Sequence, residues 1–213
     1  MKDSLEELRK KAWRTASARY NSARRIRRKD IFSTLSLSLF SASIIAVAFI
    51  QKIFVISGSS LDNYLTAISA CLGLLILVLT LVEWAGGSGV KADALYRNAE
   101  ELNDFQTRIS IIVECEKKAP SLTVEQYEKL ALEYAKIRTS CSYNHEPVDD
   151  TYFISKHRFS DEFRKSDNVP AMTCFESFCA TLAWKFASTY FYILTWVVFV
   201  FLIFFSCHFV GWK

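Results

Sequence analysis

An all-α integral membrane protein is predicted for this chain by three observations. Two apolar runs without a formal charge, residues 31–50 and 64–82, follow one another closely, and a third covers residues 189–210. Each has the roughly 20 residues that a helix needs to cross a hydrocarbon core about 30 Å thick. Charged residues still make up 23% of the chain, so charge is segregated into aqueous segments between the runs. Uninterrupted apolar runs of this length must satisfy their own backbone polar groups, which predicts helices. The expected layout is a basic amphipathic cytoplasmic helix over 1–30 and a two-transmembrane hairpin over 31–87, with spans at about 31–50 and 64–84. A cytoplasmic helical hairpin of coiled-coil type comes next, over 88–141. A loop and amphipathic juxtamembrane segment over 142–188 lead to the third transmembrane helix at 189–210.

The first segment holds eleven Lys/Arg and four Asp/Glu among residues 1–30, while the rest of the chain is close to balanced. Leu5, Leu8, Ala12, Ala16, Tyr20, Ala23 and Ile26 recur at steps of three and four, which predicts one helix. Its basic faces fit a juxtamembrane helix held near anionic lipid, and its apolar stripe fits packing on later helices. Nucleic-acid binding is not indicated, because no recognition motif or stacking platform accompanies the charge. Arg24-Arg25-Ile26-Arg27-Arg28-Lys29 abuts the first span, and the positive-inside rule places the N-terminus in the cytoplasm. The first span is expected to be an uncleaved anchor. Three spans then place the C-terminus outside.

Residues 51–63 are expected to form the outer loop, with Gly58-Ser59-Ser60 as its turn signal. The first span is rich in hydroxyls, and Thr34, Ser38 and Ser41 share one helical face. In the second, Thr66, Ser69, Gly73, Ile76, Thr80 and Glu83 step by three and four. Two readings of these seams stand. Small side chains let membrane helices pack closely. Alternatively, oligomerisation turns Thr34, Ser38, Ser41, Thr66, Ser69, Thr80 and Glu83 toward water, and hydroxyls with an acid at the cytoplasmic mouth would favour cations mildly.

Gly86-Gly87-Ser88-Gly89 separates the second span from the cytoplasmic helices, and it lacks the context of a phosphate loop. Leu95, Ala99, Leu102, Gln106, Ile109 and Val113 predict a helix over 91–118 that Pro120 stops. Thr123 and Gln126 form the pattern of a capping box opening a second helix, in which Val124, Tyr127, Leu130, Tyr134, Ile137 and Cys141 repeat the spacing. The pair predicts an antiparallel hairpin. Arg14, Arg19, Tyr20, Leu95, Leu102 and Ile109 are the expected contacts among the cytoplasmic helices, within one chain or between chains.

The stretch from Ser142 to Pro170 is the least regular, and Glu146-Pro147-Val148-Asp149-Asp150 is expected to be a loop. His145, His157, Cys141, Cys174 and Cys179 fit no established zinc spacing, so no metal is expected. No disulfide framework and no cofactor are indicated. No paired carboxylates, nucleophile and base, or phosphate cradle suggest catalysis. Phe175, Phe178, Cys179, Leu182 and Phe186 share one side of an amphipathic segment suited to a membrane interface. Tyr190, Tyr192 and Trp196 mark the near end of the third span, and Trp212 its far end.

Trp13-Arg14-Thr15-Ala16-Ser17-Ala18-Arg19-Tyr20, a basic run, two spans and then Ala94-Leu95-Tyr96-Arg97-Asn98-Ala99-Glu100-Glu101-Leu102 resemble the SLATT domain in layout over residues 4–140. The resemblance implies a two-span membrane effector of bacterial conflict systems, associated with nucleotide-second-messenger synthetases and SLOG-type sensors. The extra C-terminal span resembles a subgroup found beside reverse transcriptases. Such proteins are inferred to permeabilise the inner membrane and stop growth or kill the infected cell, and the resemblance carries no catalytic residue. The expected partners are therefore the lipid bilayer, further copies of the chain, and a reverse transcriptase, second-messenger or SLOG-type sensor partner. The favoured function is a triggered, oligomeric, permeabilising effector of the bacterial inner membrane. The alternative is a non-conducting scaffold or sensor that recruits a cytoplasmic enzyme.

Overall fold

The computed structural model describes residues 2–119, 122–164 and 169–210. Among the described residues seven helices occur in order: α1 (Lys2–Phe54), α2 (Ser60–Gly86), α3 (Ser88–Lys118), α4 (Val124–Ser140), α5 (Pro147–Lys156), α6 (Cys174–Phe186) and α7 (Tyr190–Val210). No strand occurs among the described residues. Pro120 and Trp212 lie outside them. The chain divides into two compact units. One combines Met1–Arg27 with Gly89–Ala187, and the other combines Arg28–Ser88 with the chain from Ser188 onward.

The first unit is a charged bundle built on the N-terminal half of α1. Leu5, Leu8 and Ala12 bury against Phe105, Ile109 and Val113 of α3. Ile112 of α3, Leu122 and the α4 residues Tyr127, Leu130, Tyr134 and Ile137 close this core. Burial of each large apolar side chain contributes about 1.5–3 kcal/mol, so this cluster rather than helix propensity holds the unit. α3 and α4 run antiparallel: Asn98 Nδ2 donates to Ile137 O (2.6 Å), and the Phe105 and Tyr134 rings lie 6.0 Å apart. The Thr123–Gln126 capping box forms at the start of α4, with Thr123 N donating to Gln126 Oε1 at 2.9 Å.

Asn21, Ser22 and Arg25 are also buried, so α1 is covered on more than its apolar stripe. The cause is α5, which corrects the loop expected over Glu146–Asp150. Pro147 occupies the first helical turn, where its missing N–H costs nothing, and Asp149 and Asp150 suit the positive end of the helix dipole. Trp13 of α1 meets Phe153 edge-on (5.3 Å), and His157 and Phe163 complete the aromatic cluster. α6 opens with an unanticipated capping box between Thr173 and Glu176. It stacks Trp184 on Tyr152 of α5 (4.2 Å, 5°) while Phe175, Phe178 and Phe186 stay exposed.

The second unit contains the two long apolar helices. The loop between them is shorter than expected: α1 continues to Phe54 and α2 starts at Ser60. Gln51 belongs to α1, and its Nε2 donates to Asp62 Oδ1 (2.7 Å) and Thr66 Oγ1 (2.8 Å). Ser59 caps α2, Gly58 takes φ 78°, and the Gly58 N–H donates to Asp62 (2.9 Å). These polar groups tie the turn and let both helices extend. α2 ends at Gly86, and Gly87 beyond it takes φ 58°, the left-handed conformation that terminates helices. α7 packs on α1 through Phe40, Trp196 and Phe199, and Trp196 Nε1 donates to Ser36 Oγ (3.0 Å).

Candidate functional site

The most distinctive feature of the membrane unit is a groove of about 430 Å³ between α1 and α2. α1 contributes Asp30, Ser33, Thr34, Leu37, Ser38 and Ser41; α2 contributes Thr80, Glu83 and Trp84. Helical spacing explains the gathering, since residues 34, 38 and 41 step by four and three along one face of α1. Thr34, Ser38, Ser41, Thr80 and Glu83 thus line one space. Thr66 and Ser69 fall outside it, and Thr66 is engaged with Gln51 and Asp62 near the turn.

Three of the groove hydroxyls donate within their own helix. Thr34 Oγ1 donates to Asp30 O (3.0 Å), Ser41 Oγ to Leu37 O (2.9 Å) and Thr80 Oγ1 to Ile76 O (2.8 Å). Donation to the carbonyl one turn back satisfies the proton of each of these three hydroxyls. Glu83 is held by Lys29, Nζ to Oε1 at 3.1 Å. The acid at this end of the groove is therefore paired rather than bare. Ser36 has another role: it is buried outside the groove, and its hydroxyl accepts from Trp196 Nε1. Hydroxyl content alone did not distinguish packing positions from groove positions.

The bundle contains a second polar centre that sequence reasoning missed. Asp149 is wholly buried, yet its carboxylate accepts four hydrogen bonds. Arg25 Nε (2.9 Å) and Trp184 Nε1 (3.0 Å) donate to Oδ1, and Arg25 Nη2 (3.0 Å) and the Glu146 N–H (3.0 Å) donate to Oδ2. The Asp149 carbonyl accepts from Asn21 Nδ2 (3.2 Å), and Glu146 adds a second ion pair to Arg25 at 3.1 Å. One carboxylate thereby joins α1, α5 and α6. Burial depresses the Arg25 pKa, but the bonds and charges of Asp149 and Glu146 outweigh it and raise it, so the guanidinium stays charged. The available signal was the proline followed by two acids, which marks a helix start.

The expected bundle contacts occupy related places. Arg14 Nε bonds Asp150 Oδ1 (2.6 Å), and Tyr20 meets Tyr96 edge-on at 5.2 Å. Arg19 is buried and donates to Asn98 and to the Arg138 carbonyl (2.9 Å), while Leu95, Leu102 and Ile109 lie in the core. The stretches 13–20 and 94–102 therefore meet through Arg19–Asn98 and Tyr20–Tyr96. Much of the N-terminal basic charge is consumed in this way, since Arg9 pairs with Glu6 and Glu162. Arg24 and Arg27 remain exposed toward solvent or lipid headgroups.

A helical bundle joined to a two-helix apolar hairpin defines a class of membrane protein in which a charged domain is coupled in sequence to spanning helices. Within that class, the chain belongs to the SLATT family described as SMODS and SLOG-associating 2TM effector domain family 5, whose family model matches residues 1–206. It is a membrane effector domain of conflict systems. No curated protein and no solved structure matches the chain.

Proposed function

We propose that several copies of this protein assemble in the bacterial inner membrane and, when triggered, open a leak that depolarises the cell. The observation that supports this reading is the convergence of Thr34, Ser38, Ser41, Thr80 and Glu83 on one groove between the two spans. Hydroxyl oxygens and a carboxylate are groups that replace part of an ion's hydration shell. α2 has no buried residue, so its apolar surface needs lipid or other copies as neighbours. Too few helices are present in one chain to enclose a wide aqueous path, which makes the assembly multimeric. The bundle faces the cytoplasm by the positive-inside rule and receives the trigger. That trigger biases the assembly by binding one of two states better. Any sensor or reverse-transcriptase partner would act at this point.

A second reading draws on the Lys29–Glu83 pair and the self-satisfied hydroxyls. A neutralised acid and hydroxyls bonded to their own helix suit a closed, non-conducting anchor, with the bundle as a scaffold for an enzyme. Membrane potential in bacteria carrying the chain, its neighbouring genes and the trigger separates the two. Depolarisation before loss of viability is the expected result. A sustained potential under a trigger that activates the system would leave the scaffold reading in its place.

A further inference from the structure

Four arginines of α1 are drawn into the bundle, and one of them is anomalous. Arg9 reaches Glu6 and Glu162, Arg14 reaches Asp150, and Arg25 reaches Asp149 and Glu146. Arg19 is 3% exposed, the most buried of the four, and has no carboxylate partner among the described residues. Its neighbours are the Asn98 side-chain oxygen and a backbone carbonyl, and its Nε has no acceptor among the described residues. An uncompensated buried cation is costly, and a chain that pairs the other three has left this one open.

Arg19 forms part of the wall of a cleft of about 450 Å³ between α1, α4 and the segment after α4. Arg138 adds a second cation, and His145 adds an imidazole whose Nδ1 also lacks a partner among the described residues; the Thr15 and Tyr134 hydroxyls on the same wall are already engaged, Thr15 Oγ1 donating to Lys11 O (2.8 Å) and lying 3.0 Å from Tyr134. No acidic residue lines the cleft among the described residues. Its size lies within the range of small-molecule sites. We propose that this cleft binds a phosphate-bearing small molecule, whose anion pairs with Arg19 and Arg138 and accepts from the His145 imidazole. Arginine suits this task because its fork of N–H groups matches a phosphate. The proposal concerns binding only and stands whether or not the membrane unit conducts.

The test uses the full chain in phosphatidylcholine nanodiscs, titrated with inorganic pyrophosphate and with ATP, and read by calorimetry and thermal unfolding. Saturable binding with a raised Tm is expected for at least one probe. Arg138→Gln removes one exposed cation without disturbing the core and should weaken binding about ten-fold, the value of a charged hydrogen bond. Arg19→Lys retains charge but loses the fork, and should weaken binding further. A parallel arm places the protein in nanodiscs containing phosphatidic acid without a soluble probe. A raised Tm there that Arg138→Gln abolishes would assign the phosphate to a lipid headgroup, which still supports the site. Absence of binding in both arms, or binding unchanged by Arg138→Gln and Arg19→Lys in folded protein, would overturn it.

Discussion

Asp149 is the residue on which three helices of the bundle converge. Removing one member of a buried, hydrogen-bonded ion pair leaves the other charge uncompensated, at a cost of about 3–5 kcal/mol. Asp149→Ala should therefore lower bundle stability by that amount in thermal or denaturant unfolding. Trp184→Phe, which removes one donor and keeps the stacking on Tyr152, should cost only about 1 kcal/mol. His145 gives a pH dependence. Burial lowers its pKa below the ordinary imidazole value; Arg19 and Arg14 push the same way, and Asp150 and Asp149 oppose them. Arg138, Tyr134 and Tyr143 share its cleft. The folded chain holds His145 neutral where the unfolded chain would take a proton. Its contribution is thus complete above about pH 6.5 and is lost as pH falls through the depressed folded value. Unfolding temperatures between pH 8 and 5 should show this fall, and His145→Gln should flatten it.

At the scale of elements, α3 carries the apolar face on which α1 and α4 pack. Phe105 is fully buried in that core, and Phe105→Ala should cost about 3–5 kcal/mol because the space cannot close around three packed helices. The exposed α2 residue Leu77 should tolerate exchange for another apolar residue with little change in the stability of the folded chain. α1 and α2 were visible as apolar periodicity and length, and α3 and α4 as four-three seams. α5 was not, because it is short and its buried groups are polar. Asp149 and Ser155 are buried there beside Phe153, so no apolar stripe announces the helix. The extension of α1 through Gln51 was hidden for a related reason: a polar side chain that looks like a loop residue is satisfied by Asp62 and Thr66.

For the whole molecule, the proposal of a multimeric leak makes two further predictions. Leu77→Cys on the exposed surface of α2 should form a disulfide between copies in membranes if the spans assemble, read as a dimer band on non-reducing gels. Glu83→Gln should lower the cation-to-anion permeability ratio of the triggered assembly in proteoliposomes while leaving its size unchanged. An unchanged ratio in an assembled variant would remove Glu83 from the conducting wall. The sequence by itself determined the fold class, since hydrocarbon admits only self-satisfied backbone and three long apolar runs announce it. It also determined the paired helices after Gly87, because apolar periodicity is local information. Only the tertiary structure decided which hydroxyls face the groove, which pack on α7, and which arginine lacks an acid. Those outcomes depend on side chains brought together from distant positions, such as Arg25 with Asp149 and Ser36 with Trp196, and spacing along one helix carries no record of what lies opposite.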